Sequence, residues 1–208
     1  EGIINIPGDK SITHRAIMLG GLSDGMLNVT NSLLSEDCMR TLIAFRELGV
    51  DIEINDEKLV ITGNGIQGLT QPKSKIDAGN SGTMARLLSG ILSTQNFHSA
   101  ISGDESLVTR PMKRIIEPLE SFGALIKSSD GKLPMSFEPS TLMKPIIYHS
   151  KIPSAQVKSS LILAALNIKG ESVISEDVIT RDHTERLLSY MEYPFMNDKG
   201  VITLQGCK

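Results

Sequence analysis

The chain has 208 residues, with 21 Lys and Arg against 24 Asp and Glu, for a formal charge of −3. Apolar residues make up 40% and charged residues 22%, enough apolar side chain for a packed core, which excludes intrinsic disorder. Balanced charge and an aromatic content of 4%, without Trp, provide neither the basic footprint nor the stacking surface that nucleic-acid binding needs.

Glu1-Gly2-Ile3 opens the chain without Met and runs at once into strand-like sequence, as expected of a piece of a longer protein. A first helix is predicted over Ser11–Leu22. Beyond its first turn it is apolar or small on nearly every side, the pattern of a core helix rather than a surface one. A strand over Leu27–Asn31, a polar amphipathic helix over Glu36–Leu48 and strands at Asp51–Ile54 and Leu59–Thr62 follow, the last two joined by Asn55-Asp56-Glu57. The same order then returns. A buried helix over Ser81–Leu92 leads to a strand at His98–Ser102, an outer helix over Arg110–Phe122 in which Pro118 predicts a kink, and strands at Leu125–Lys127 and Met135–Glu138. It returns once more as Ser154–Leu166, Ser172–Ser175, Arg181–Tyr190, Phe195–Met196 and Val201–Leu204.

The serines that open the three buried helices lie 70 and 73 residues apart. Gly49 and Gly123 stand where helix ends want a left-handed residue, and Tyr193-Pro194-Phe195 turns the chain at the third equivalent place. Residues 1–208 are therefore read as one domain of three repeated units of about seventy residues each, α/β in class. Three buried helices are expected to lie parallel, in pseudo-threefold arrangement, ringed by sheets and outer helices, with their N-termini gathered at one end.

That gathering has a chemical consequence. A helix N-terminus carries unpaired N–H groups and about half a positive charge, so three of them around one mouth suit a multiply charged anion. Lys10 and Ser11 open the first helix, Asn80, Ser81 and Thr83 the second, Ser154 and Gln156 the third; Arg15 and Arg86 add guanidinium forks that match carboxylate or phosphate. Each serine alone also fits an ordinary N-cap, and each arginine alone a surface ion pair. Lys10 is different. Set at a helix start by the Pro7-Gly8-Asp9 turn, it opposes the helix dipole, a placement that makes sense when an anion joins it.

Other signals are discounted. Gly8-Asp9-Lys10-Ser11 lacks the glycine spacing and Gly-Lys-Ser order of a nucleotide-binding loop. His14, His98, His149 and His183 show no metal-ligand spacing with Cys38 or Cys207, so no metal is expected. Two cysteines form no disulfide framework and suit a reducing, cytoplasmic setting. The longest apolar run, Leu161–Leu166, falls far short of the roughly 20 residues of a membrane span. The charged run Glu53–Lys58 reads as a solvated turn.

Pro7-Gly8-Asp9-Lys10-Ser11-Ile12-Thr13-His14-Arg15-Ala16 resembles the opening motif of the 5-enolpyruvylshikimate-3-phosphate synthase family. Four further stretches agree in order and spacing: Asp77–Arg86, Gly103–Met112, Ser154–Ser159 and Thr180–Glu185. The resemblance runs from end to end. It implies repeated βαβαββ units, six per enzyme in two three-unit domains, of which this chain would be the shikimate 3-phosphate-binding half. The implied reaction transfers the enolpyruvyl group of phosphoenolpyruvate to the 5-hydroxyl of shikimate 3-phosphate, releasing phosphate through a tetrahedral intermediate. No metal or organic cofactor is implied, and the complete enzyme is expected to be a monomer.

Carried onto this chain, the family pattern implies that Lys10 touches both substrates and serves in proton transfer. Ser11, Arg15, Ser154, Ala155, Gln156 and Thr180 would bind shikimate 3-phosphate, with Arg181 assisting. Asn80, Gly82, Arg110 and Gln156 would serve phosphoenolpyruvate, with Arg86 shaping that segment. Leu87 and Ser106 suit the bacterial subgroup with reduced glyphosate sensitivity, whereas Gly82 lacks the methyl group of well-known tolerant members. The acidic and basic residues of the family's second domain have no counterpart here, so the chain alone is expected to be inactive. The sister transferase acting on UDP-N-acetylglucosamine prefers Asn after the lysine and carries a loop Cys near Arg110, neither of which is present. A non-catalytic anion-binding domain on the same scaffold is the remaining alternative.

Overall fold

The structure is a computed structural model and describes residues 2, 4, 6–56, 58–140 and 143–206, so Glu57, Cys207 and Lys208 lie outside the described residues. Helix α1 (Lys10–Leu22) starts one residue earlier than the serine pattern suggests. Asp9, with extended backbone, accepts a hydrogen bond from Ile12 N–H at 2.8 Å, so Asp9 and not Ser11 is its N-cap. Every residue from Thr13 to Leu22 is buried, as an all-round apolar helix requires. Strand β1 (Met26–Val29), helix α2 (Glu36–Glu47) and strands β2 (Asp51–Asn55) and β3 (Lys58–Thr62) complete the first unit.

The second unit consists of β4 (Ile76–Asp77), α3 (Gly82–Leu92), β5 (Ser99–Ser102), a 3-10 turn (Leu107–Thr109), α4 (Lys113–Ser121), β6 (Ile126–Ser129) and β7 (Lys132–Phe137). The third consists of β8 (Ile147–Ser150), α5 (Ala155–Ala165), β9 (Gly170–Glu176), α6 (His183–Tyr190), β10 (Phe195–Asp198) and β11 (Val201–Gly206). Helix α2 starts at Glu36 as its pattern suggests, whereas α4 and α6 start later than predicted, at Lys113 and His183. Arg110 precedes Pro111, which drives it to an extended φ of −76° and ψ of 139°, so α4 cannot begin there. Pro118 lies inside α4, its ring buried, and the helix continues through it to Ser121.

The sheets carry the repeat most plainly. The second is ordered β4-β5-β7-β6 and the third β8-β9-β11-β10, each with its first pair parallel and the rest antiparallel. The first runs β1-β3-β2, the same order from the second strand on. The opening strands β4 and β8 escaped the reading by periodicity: two residues are too few for alternation to register in β4, and β8 exposes Ile147 and buries Ser150, against the usual apolar-in pattern. Gly49 and Gly123 end the first two outer helices at φ of 92° and 106°; in the third unit Glu192 takes the left-handed position at φ 58°.

The buried helices are parallel. At their N-terminal ends Gln156 of α5 donates to Thr83 Oγ1 of α3 at 3.3 Å; beyond their C-terminal ends Asn167 donates to the Thr94 carbonyl at 2.9 Å. Between these points a Cβ on Gly90 would come 2.0 Å from the Ser160 carbonyl oxygen, so only a glycine lets the two helices meet this closely. Helix α1 matches them in sense. Arg15 near its start donates to Ser159 Oγ of α5 at 2.8 Å, while Leu19, Leu22 and Leu166 share a cleft at the far end.

Candidate functional site

Each unit is tied to the next close to the helix starts. Arg40 of α2 pairs with Asp77 at 2.6 Å, joining the first unit to the second. The second meets the third at Gln156, and the third meets the first through Arg15. The three N-termini therefore share one mouth.

On the first unit, the Lys10 ammonium is half exposed and lies 2.9 Å from Asp37 Oδ2 on α2. Because Asp9 caps α1, the Ser11 hydroxyl is not committed to the helix end. Ser81 and Ser154 do serve as N-caps, accepting from Met84 N–H at 3.2 Å and Val157 N–H at 3.4 Å. The preceding N–H groups of α5, on Ala155 and Gln156, have no acceptor within the helix and face the mouth from its first turn.

Arg86, Arg110 and Arg114 converge on the second helix start. Among the described residues none of the three is ion-paired with a carboxylate. Arg86 is 7% exposed, and among the described residues its Nε–H has no hydrogen-bond partner. Burial, with the neighbouring Arg114 and Arg110 charges adding, lowers its pKa to about 10, so it stays charged at neutral pH. Gln156 sits between the forks: its carbonyl oxygen accepts from Arg86 at 3.3 Å and from Arg114 at 3.1 Å. Asn80 orients Arg110, accepting from its Nη2 at 2.5 Å while donating to Asp104 Oδ2 at 2.7 Å. The bond from Asn80, then that from Leu107 N–H, holds the Asp104 carboxyl below the ordinary range. A Cβ on Gly82 would fall 2.7 Å from Arg86 Nη1 and 3.4 Å from Arg110 Nη1, so the bare backbone is what leaves room between these forks.

Arg15 is 4% exposed and largely engaged, donating to the Ser11 carbonyl at 2.9 Å, Thr184 Oγ1 at 2.8 Å and Ser159 Oγ at 2.8 Å. Burial lowers its pKa to about 10, against the pull of Glu185. Thr180 is half-buried and its hydroxyl donates to Glu176 Oε2 at 2.7 Å; Arg181 beside it is exposed. Sequence patterning passed over Asp37, Asp104, Arg114 and Glu176. Only Arg114 left a local signal: in the predicted Arg110–Phe122 helix it lies four residues after Arg110, on the same face, although Arg110 in fact precedes α4.

The far end of the buried helices offers a cavity of about 560 Å³, but its walls are Leu19, Leu22, Leu166 and Leu188 with Asp24 and Glu192, and helix carbonyls point there. That end repels anions. The cationic mouth is the candidate site.

A family profile described as EPSP synthase (3-phosphoshikimate 1-carboxyvinyltransferase) matches residues 1–207. The 3-phosphoshikimate 1-carboxyvinyltransferase of Ruthia magnifica is 47% identical over 99% of this chain and 47% of its own length. That of Leuconostoc citreum is 45% identical, over 99% and 48%. The solved EPSP synthase of Acinetobacter baumannii superposes with a TM-score of 0.95 at 44% identity, covering 100% of this chain and 47% of that one. The chain thus spans about half the length of the curated relatives it matches, and it belongs to the EPSP synthase family.

Proposed function

We propose that the chain is the shikimate 3-phosphate-binding half of an enolpyruvyl transferase. In the complete enzyme the 5-hydroxyl of shikimate 3-phosphate gives up its proton as its oxygen adds to C2 of phosphoenolpyruvate and a proton goes to C3; the intermediate then loses a proton from C3 and phosphate from C2 as the enolpyruvyl double bond re-forms. The observation that carries this is the cluster of Arg86, Arg110 and Arg114 without a carboxylate partner, beside Gly82 and bridged by Gln156. Like charges gathered without a counter-ion repel one another, and a ligand with two anionic groups relieves that repulsion. Phosphoenolpyruvate, with a carboxylate and a phosphate, is such a ligand.

Shikimate 3-phosphate takes the adjoining part of the mouth, its phosphate at the Ser154–Ala155 helix start and its ring toward Gln156, Ser11 and Arg15. Lys10 stands between the two substrates, steadied by Asp37, as the proton-handling group. A second domain supplies the opposite wall and the remaining acid, base and cationic groups; the complete protein acts as a cytoplasmic monomer.

Calorimetry on the 208-residue chain tests this. Shikimate 3-phosphate should bind in the micromolar-to-millimolar range, inorganic phosphate far more weakly, and Lys10→Ala should abolish the preference. Equal affinity for any phosphate compound would instead favour a non-specific anion-binding domain.

A further inference from the structure

The third unit buries charges that the chemistry above does not use. Lys158 of α5, Glu176 at the end of β9 and Glu185 of α6 have side chains only 3%, 2% and 4% exposed, and Lys158 Nζ lies 2.7 Å from a carboxylate oxygen of each glutamate. Removing three ions from water is expensive, and a buried ion pair is weak support for a fold by itself. What this cluster does hold is the segment after β9. Glu176 Oε1 accepts the Thr180 N–H at 2.8 Å, Glu176 Oε2 accepts the Thr180 hydroxyl at 2.7 Å, and Lys158 reaches the Thr180 carbonyl at 3.5 Å.

Thr180 is thus gripped at all three of its polar groups. No apolar anchor does the same work, for Val178 is 56% exposed and Ile179 68%. A threonine hydroxyl has one proton, and here it is given to Glu176. That oxygen has no second proton for a phosphate. Thr184, next to Glu185 on α6, accepts from Arg15 Nε–H at 2.8 Å and donates to Ser159 Oγ at 2.8 Å, so the start of α6 also seats Arg15 in the mouth.

We infer that Lys158, Glu176 and Glu185 form a buried charged strut that presets the 177–181 segment for the ligand, with Glu176 and Thr180 as positioning residues and Thr180 not itself a donor to the phosphate. The inference rests on the function proposed above for its ligand, shikimate 3-phosphate.

The test compares wild-type chain with two variants by thermal unfolding, by amide exchange at Thr180 and by calorimetry with shikimate 3-phosphate. The neutral variant Lys158→Met/Glu176→Gln/Glu185→Gln removes the charges at similar volume. Glu176→Asp keeps the charge beside Lys158 but is one methylene too short to reach Thr180, and it decides the matter if the neutral variant does not fold. The strut predicts a near-wild-type melting temperature, Thr180 exchange at least tenfold faster and affinity lower by about tenfold, the scale of losing charge-assisted hydrogen bonds that hold a segment. Unchanged exchange would overturn it, as would faster exchange with unchanged affinity. Should wild-type chain fail to bind shikimate 3-phosphate, the functional proposal falls; the exchange rates still decide whether the strut fixes the segment.

Discussion

His14 lies wholly buried beneath the Lys10 turn, its Nδ1 2.7 Å from Thr41 Oγ1. Burial lowers its pKa from 6.5 to about 4; Asp37 opposes this shift, and Lys10 and Arg15 add to it. The folded ring therefore binds fewer protons than the unfolded one between those values, so its contribution is complete above pH 6.5 and is lost as pH falls toward 4. That is worth about 3 kcal/mol. Urea unfolding at pH 7 and pH 4 should show a loss of this size, and His14→Asn should remove most of it. Gly82→Ala acts on the site itself. Its methyl group would press on Arg86 and narrow the space toward Arg110, so in the complete transferase the KM for phosphoenolpyruvate should rise by about tenfold with a smaller change in kcat. An unchanged KM would show that the anion does not lie between these forks.

At the scale of elements, the meeting of α3 with α5 is the most exacting feature. In an ordinary helix interior Gly→Ala gains about 1 kcal/mol. At Gly90 the added methyl would meet the Ser160 carbonyl of the neighbouring helix, and the two helices would have to part. Gly90→Ala should therefore lower unfolding free energy by about 1–3 kcal/mol, a reversal of sign that denaturant titration can read. Separation here would also pull Thr83 from Gln156 and disturb the forks above. Helix starts show how local chemistry decides boundaries. Asp9 displaces Ser11 as the cap because its carboxylate accepts from Ile12 N–H, and Pro111 delays α4 by forcing Arg110 to be extended. That extended residue then lies beside the helix start, where its fork reaches Asn80.

At the scale of the whole molecule, the cationic mouth is one wall of the proposed cleft, and under the proposed function a second domain supplies the other. The isolated chain should bind shikimate 3-phosphate yet give no measurable turnover, since positioning and preorganised charge from that wall each lower the barrier by several kcal/mol. A phosphate-release assay checks this, and a rate near that of a full-length relative would refute the half-site proposal. Much of this architecture was legible beforehand. Element order apart from β4 and β8, the all-round apolar character of α1, α3 and α5, the glycines at Gly49 and Gly123 and the cation placed against a helix dipole at Lys10 are properties of residue type and short-range spacing, and a linear chain carries these openly. Packing decided the rest. Arg15 reaches Ser159 across 144 positions and Arg114 reaches Gln156 across 42, and no periodicity encodes either pairing. The engagement of the Thr180 proton by Glu176 depends on where a strand end and a helix bury their charges together, which is settled only when three units close on one core.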